Sequence, residues 1–324
     1  MLAEKLVALT RSILNQPTAP FHEEFVRAEI RRQLDKLPSV RLAEDNFGNL
    51  IATYQRGGHL PAFAFAAHMD HPGWVRHPQK SDEPMDFLGG VPEDYLATCE
   101  VENFSDGAFA MWKLPALDLR DGKIHSRACD DLIGCVAIVA MMHDLEEKQV
   151  DCTVLGLFTR AEEVGLVGAM KLAASSILPE NITVISLETS PERLPARMGD
   201  GPIIRVGDKI SVFDPRITAQ LVAAAQTAGI TFQRCLMAGG TCEATAYQVY
   251  DVRCGALCIA LGNYHNCGLD GKIAAEFVSF SDFSGLVDLC TAAASQTTSG
   301  PETVQANLKR RLEQNADHFA AYFE

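Results

Sequence analysis

Apolar residues recur along this chain in two rhythms. Over residues 3–16 and 22–36 they return every three to four positions, the spacing of one helical face. In the second stretch His22, Phe25, Val26, Ile30 and Leu34 share that face, and Pro20 sits just ahead of its start. The same period marks residues 132–145, 166–175, 217–228 and 280–294, and Gly300-Pro301 opens a last charged helix reaching Tyr322. Between these lie short apolar or β-rich runs at 50–54, 62–67, 153–158, 182–187, 203–206 and 256–261, which predict strands. Turn chemistry at Asn46-Phe47-Gly48-Asn49 leads into the first run, and Arg56-Gly57-Gly58 is expected to close a hairpin. From Gly73 to Ser126 the character changes. Proline, glycine and short alternating stretches at 97–102 and 108–114 predict a small β-rich insertion. The expected organisation is one α/β domain, residues 1–72 and 127–324, interrupted once by residues 73–126.

Composition adds boundaries. With 324 residues, 47% of them hydrophobic, the chain can bury one large core and carry a smaller insertion. A formal net charge of −14 argues against a nucleic-acid footprint or a polybasic membrane patch. No apolar run approaches the roughly 18 residues that a membrane span requires. Residues 1–11 mix charges into their apolar pattern, so they read as an amphipathic helix rather than a signal peptide. The ten cysteines include no CxxC pair, which argues against a zinc ribbon or a thioredoxin-like site. Taken as reduced thiols, they place the chain in the cytoplasm.

The candidate chemistry sits at the edges of the apolar runs. His68-Met69-Asp70, Glu162-Glu163 and Glu188 each follow a predicted strand; Asp130-Asp131 opens a predicted helix; His265 closes Gly262-Asn263-Tyr264-His265. In an open α/β sheet, ligands gather beyond the carboxyl ends of the strands. Two histidines and several carboxylates there make an N/O donor set for two divalent metals, and so a metal-dependent hydrolase. Each segment alone has a plain alternative. His68 and Asp70 can be a surface loop, Asp130 or Asp131 a helix cap, the glutamate pair a helix's first turn, Glu188 and His265 solvated strand ends. Their weight comes from the set. If Glu162 and Glu163 lie in extended chain they point in opposite directions, one to a metal and one to a water nucleophile. Such a pair does not suit a glycosidase, whose two carboxylates flank one bond about 5–9.5 Å apart. His22-Glu23-Glu24-Phe25-Val26 begins like HExxH but ends in valine, and no GxSxG elbow, P-loop or GxGxxG is present. Gly239-Gly240-Thr241 is either a plain turn or a place where backbone approaches substrate.

The order HxD, DD, EE, E, H, with EEVGLVGA intact at 162–169, resembles the M42 aminopeptidase family of the di-metal exopeptidase clan, which also holds the M28 and M20 families. ACDDLIGC at 128–135, GDGPIIRVGD at 199–208, residues 46–52 and Gly239-Gly240-Thr241 fit the same family. The resemblance implies a zinc-exopeptidase-like α/β/α sandwich with a mixed central sheet and a small inserted β-rich domain of the dimerisation type. It implies His68 as a terminal ligand of one metal, Asp130 as the bridging carboxylate and Glu163 as a ligand of the second metal, with Glu188 and His265 as the remaining ligands. Glu162 would be the general base, and Asp70 the partner orienting His68. Two zinc or cobalt ions would be the cofactors. The implied reaction removes N-terminal residues from short peptides, in a homo-oligomer with neither nucleic-acid nor membrane partners. A deacylase or carboxypeptidase-like hydrolase of the same clan is the alternative reaction. A non-catalytic metal-binding scaffold is the other alternative, against which the retained Glu162 speaks. The chain departs from the family pattern in four places. His71 replaces an acidic residue, Cys242-Glu243 stands where Gly-Gly-Thr is usually followed by aspartate, and Tyr264-His265 lacks the usual intervening residue. Only 62 positions separate His68 from Asp130, short for the insertion that builds the family's shells, so a dimer is the narrower expectation.

Overall fold

The computed structural model describes residues 1–58, 60–61, 63–79, 83–295 and 301–322, without the side chains of 301–305. Ala62 and Gly300, expected at the ends of a strand and a helix, lie outside the described residues.

The apolar runs form the centre of a mixed eleven-stranded sheet. Thr153–Thr159, Phe63–His68, Thr183–Pro191 and Arg253–Gly262 lie side by side and parallel. They are buried along almost their whole length, as parallel strands covered on both faces must be. Alternate residues of Phe63–His68 enter two different cores. Phe63, Phe65 and Ala67 pack with Leu132–Glu147, whereas Ala64 and Ala66 pack with Val167–Ala173 and Glu243–Val249. That alternation makes the layers of an α/β/α sandwich. Leu132–Glu147 is apolar on every side because every side is covered: strands below it, and Ala3–Leu14, Glu24–Leu34 and Phe280–Ser295 around it.

Antiparallel strands extend both edges. Leu50–Gln55 and then Val40–Glu44 flank Thr153–Thr159, while Glu276–Ser279, Lys123–Ser126 and Asp118–Arg120 continue beyond Arg253–Gly262. Ile203–Gly207 and Gln233–Leu236 branch from that last parallel strand. The hairpin expected at Arg56-Gly57-Gly58 is not formed, because Thr153–Thr159 lies between Leu50–Gln55 and Phe63–His68. The tight turn is the one before it. There Asp45 Oδ1 accepts the N–H groups of Phe47 and Asn49, joining Val40–Glu44 to Leu50–Gln55. A second, four-stranded sheet comprises Gly73–Val75, Asp86–Leu88, Val101–Phe104 and Phe109–Trp112. The run at 97–102 begins just after a short helix, Glu93–Leu96, and enters the strand Val101–Phe104. The last helix, Pro301–His318, packs against Pro215–Thr227.

One close contact fixes the chain just past Thr153–Thr159. Gly168, in the first turn of Val167–Ala173, lies so near the preceding loop that a Cβ there would sit 2.3 Å from the Arg160 carbonyl oxygen and 2.6 Å from its nitrogen. Both are backbone atoms and cannot swing aside. Gly168→Ala is therefore expected to lower stability by about 1–3 kcal/mol, the usual cost of overpacking. Urea denaturation measures it, and an unchanged midpoint would contradict this packing.

Candidate active site

The four parallel strands share a carboxyl edge, and the candidate residues collect along it. Phe63–His68 ends on His68. Thr153–Thr159 passes through Arg160-Ala161 to Glu162-Glu163. Arg253–Gly262 runs through Asn263-Tyr264 to His265, with Asn263 and His265 both left-handed (φ 53° and 51°). Glu188 lies inside Thr183–Pro191, which continues past the expected end of that strand. Asp130-Asp131 bridges from Lys123–Ser126 to Leu132–Glu147, where Asp131 caps the helix by accepting the Gly134 N–H at 3.2 Å.

Six of the candidates, His68, Asp130, Glu162, Glu163, Glu188 and His265, converge on one crevice, with Asp70 and Asp131 next to it. Asp130 Oδ1 is 3.4 Å from His68 Nε2, and its other oxygen, Oδ2, is 3.7 Å from His265 Nε2. Glu188 Oε1 lies 3.8 Å from His68 Nε2, and Glu163 Oε2 lies 3.4 Å from His265 Nε2. Glu162 Oε2 reaches to 4.0 Å from His68 Nε2. Among the described residues, His68–Glu162–Glu188, Asp130–Glu163–His265 and Asp130–Asp131–Glu188 each bring donor atoms within 4.8 Å of one another. Glu163 Oε1 is buried without a hydrogen-bond partner, and Asp130 Oδ1 makes no well-formed hydrogen bond although it faces His68.

The electrostatics follow from packing this many carboxylates out of water. Burial, reinforced by neighbouring carboxylates, pushes Glu162, Glu163 and Asp131 well above the ordinary carboxylate range, and Glu188 in the same direction. Burial opposes a charge on His68, but Glu162, Asp130, Glu188 and Asp70 outweigh it and raise its pKa well above normal. Asp130 also suffers burial, yet its contacts with His68 hold it down at about 2. Two imidazoles, a surplus of repelling carboxylates and oxygens without donors suit divalent cations with N/O ligands, which would discharge the repulsion. The residues present fit such a group.

Side chains behind the crevice hold it in place. Asp70 accepts the N–H of Glu162 at 2.9 Å and that of Glu163 at 3.1 Å. His68 Nδ1 lies 3.1 Å from the Asp70 carbonyl oxygen and 3.7 Å from its carboxylate. The glutamate pair sits in a turn, closed by Gly165 and Leu166 N–H groups donating to the Glu162 carbonyl. The two carboxylates therefore enter the same crevice, not opposite sides as in extended chain. Buried Glu276 accepts the Cys129 and Asp130 N–H groups at 2.7 and 3.1 Å. His71, pushed down to about 4 by burial, contacts the Asp130 carbonyl at 2.6 Å and Asn266 Oδ1 at 2.8 Å. The sequence offered no signal for Glu276 or Asn266, each a polar residue in a short element with no apolar run before it.

A cavity of about 110 Å³ opens beside Asp130, Glu162, Glu188 and His265, and Arg193, Arg205, Met237 and Thr241 help to line it. Gly239 and Gly240 are on its wall, and a Cβ on Gly239 would come within 2.6 Å of Arg193 Nε. The glycine pair is thus where backbone approaches this cavity closely. Arg205 is buried and donates to Ser190 Oγ at 3.1 Å. Among the described residues, no helix is long and apolar enough to cross a membrane.

Comparison with known proteins bears on the family and the fold. A curated protein of Acetivibrio thermocellus named "Putative aminopeptidase" is 30% identical over 182 residues, which is 54% of this chain and 52% of that protein. The chain thus spans about half the length of the curated relative it matches. The solved structure of PhTET1-12s, a dodecamer in its asymmetric unit, superposes with a TM-score of 0.72 at 25% identity, covering 91% of this chain and 99% of that one. Aminopeptidase APDkam598 from the archaeon Desulfurococcus kamchatkensis shares the fold with a TM-score of 0.78 at 20% identity, covering 94% and 97%. Residues 94–284 match the family model described as M42 glutamyl aminopeptidase. The chain belongs to the M42 peptidase family.

Proposed function

We propose that this chain is a metal-dependent aminopeptidase that removes N-terminal residues from short peptides. The observation that carries the reading is Asp130, whose two oxygens face two different histidines, His68 and His265. In this reading His68, Asp130 and Glu188 hold one cation, and Asp130, Glu163 and His265 hold the other. Zinc or cobalt suits such mixed imidazole and carboxylate donors. When bound, the two ions would lower the pKa of a water and polarise the scissile carbonyl. Glu162 remains as the base. Its Oε2 takes the proton of the attacking water and passes it to the leaving amine, a role helped by the upward pKa shift that burial gives it. Asp70 acts on both glutamates by gripping their backbone N–H groups.

The cavity beside the crevice is small, in keeping with a pocket for one terminal side chain. Arg193 and Arg205 on its lining favour an acidic side chain, and the word glutamyl in the matched family description points the same way. We further infer a catalytic domain of residues 1–72 and 127–324 with residues 73–126 as a dimerisation-type insertion. A homo-oligomer is supported by the dodecameric structural relative, and the cytoplasm by ten cysteines that are all free thiols.

A hydrolysis panel with purified protein and added zinc or cobalt tests the reaction. Aminoacyl-anilides with free amines should be cleaved, glutamyl best, and their N-acetylated counterparts should not; preference for the acetylated set would make the chain a deacylase. Glu162→Gln should cut kcat by about 100-fold or more with metal content unchanged, and normal turnover would remove Glu162 as the base. Asp130→Ala should lower metal content at both positions, measured by mass spectrometry. Two equivalents retained in that variant would contradict a bridging role.

A further inference from the structure

The loop that carries Glu162 is held by side chains from three other parts of the chain. Four successive N–H groups at residues 160–163 each meet a side-chain oxygen. Asn49 Oδ1 takes that of Arg160 at 3.0 Å, Glu23 Oε1 that of Ala161 at 3.1 Å, and Asp70 those of Glu162 and Glu163. Asn49 and Asp70 stand next to the sheet. Glu23 comes from farther off, at the start of Glu24–Leu34, and is fully buried.

Glu23 does more than satisfy one N–H. Its Oε2 accepts Arg160 Nε at 2.6 Å, and its Oε1 also accepts the Phe21 N–H at 2.8 Å. The Arg160 guanidinium also donates through Nη1 to the Phe47 carbonyl at 2.6 Å and through Nη2 to the Phe21 carbonyl at 2.9 Å. Both residues whose N–H groups reach Glu23 have left-handed backbones, Phe21 with φ 71° and Ala161 with φ 55°. Neither is glycine, so each conformation costs energy and persists only where its surroundings hold it. At Ala161 the consequence is local. One residue before Glu162, the direction of the chain depends on a carboxylate that does not itself touch the crevice.

We propose that Glu23, through Arg160 and the Ala161 N–H, is a positioning residue that sets where the Glu162 carboxylate stands. The proposal rests on the reading of Glu162 as the base. It also gives a use to the His22-Glu23 pair, which begins like a metal-binding motif but lacks its second histidine. A purely structural ion pair would affect folding alone. A positioning residue affects the reacting group, where a displacement of about 1 Å costs up to 100-fold in rate.

The isosteric variant Glu23→Gln separates these roles. It keeps an acceptor but loses the charge facing Arg160. The expected result is a kcat lower by about 10- to 100-fold, KM within about twofold, metal content unchanged, and faster hydrogen–deuterium exchange over residues 157–166. A kcat equal to wild type overturns the proposal, as does a loss carried wholly by KM or by metal content. Should Glu23→Gln fail to fold, Arg160→Lys tests the Arg160 half of the link: it gives up the bonds to Phe47 and Phe21 and is expected to lower kcat about 10-fold at unchanged metal content, and a wild-type kcat overturns the proposal. Wild-type protein inactive on every aminoacyl substrate would sink the aminopeptidase reading instead. In that case the exchange of the loop still reads whether Glu23 holds residues 157–166, and exchange in Glu23→Gln equal to wild type overturns the proposal.

Discussion

Packing several carboxylates around two imidazoles in a largely buried crevice is the constraint on which this structure turns. Like charges brought together out of water repel, and nothing in an apolar core relieves them. The fold tolerates the cluster because it stands at the edge of the sheet, and because other side chains bind the backbone beneath it. Asp70 grips the glutamate pair, Glu276 grips the start of Asp130, and His71 rests against the Asp130 carbonyl. The surplus negative charge is what a divalent cation would neutralise.

The sheet supplies the rigidity for this. Four parallel strands buried on both faces place their carboxyl ends along one line, within reach of one another. Leu132–Glu147, enclosed on every side, anchors the far end of the Asp130-Asp131 segment. Each donor is therefore tied within a few residues to an element that cannot shift without opening the core. The loops between take up the geometric cost. Ala161, Leu166, Asn263 and His265 are all non-glycine residues with positive φ, gathered around the crevice. Backbone strain concentrated at such a place is a common mark of a working site.

Much of the scaffold was legible from periodicity. The long helices and central strands fall where the apolar spacing places them, because burial on one face or both leaves its rhythm in the chain. The hairpin at Arg56-Gly57-Gly58 was misplaced because strand neighbours are chosen by long-range pairing. Thr153–Thr159 enters between two strands that are close in sequence. Val40–Glu44, half-exposed and rich in charge, left no apolar run to read.

For the candidate site, the sequence by itself determined which residue types stand at the edges of the apolar runs: two histidines, the aspartate pair, the glutamate pair and Glu188. It determined this because acid and histidine residues at the edge of apolar runs are visible without coordinates. Only the tertiary structure decided that Asp130 divides its oxygens between His68 and His265, and that Glu162 and Glu163 enter one crevice from a turn. It alone brought Glu23, Asn49 and Asp70 to four neighbouring N–H groups. Those contacts join segments far apart in the chain, and hydrogen bonds between distant residues leave no period or spacing in a single sequence.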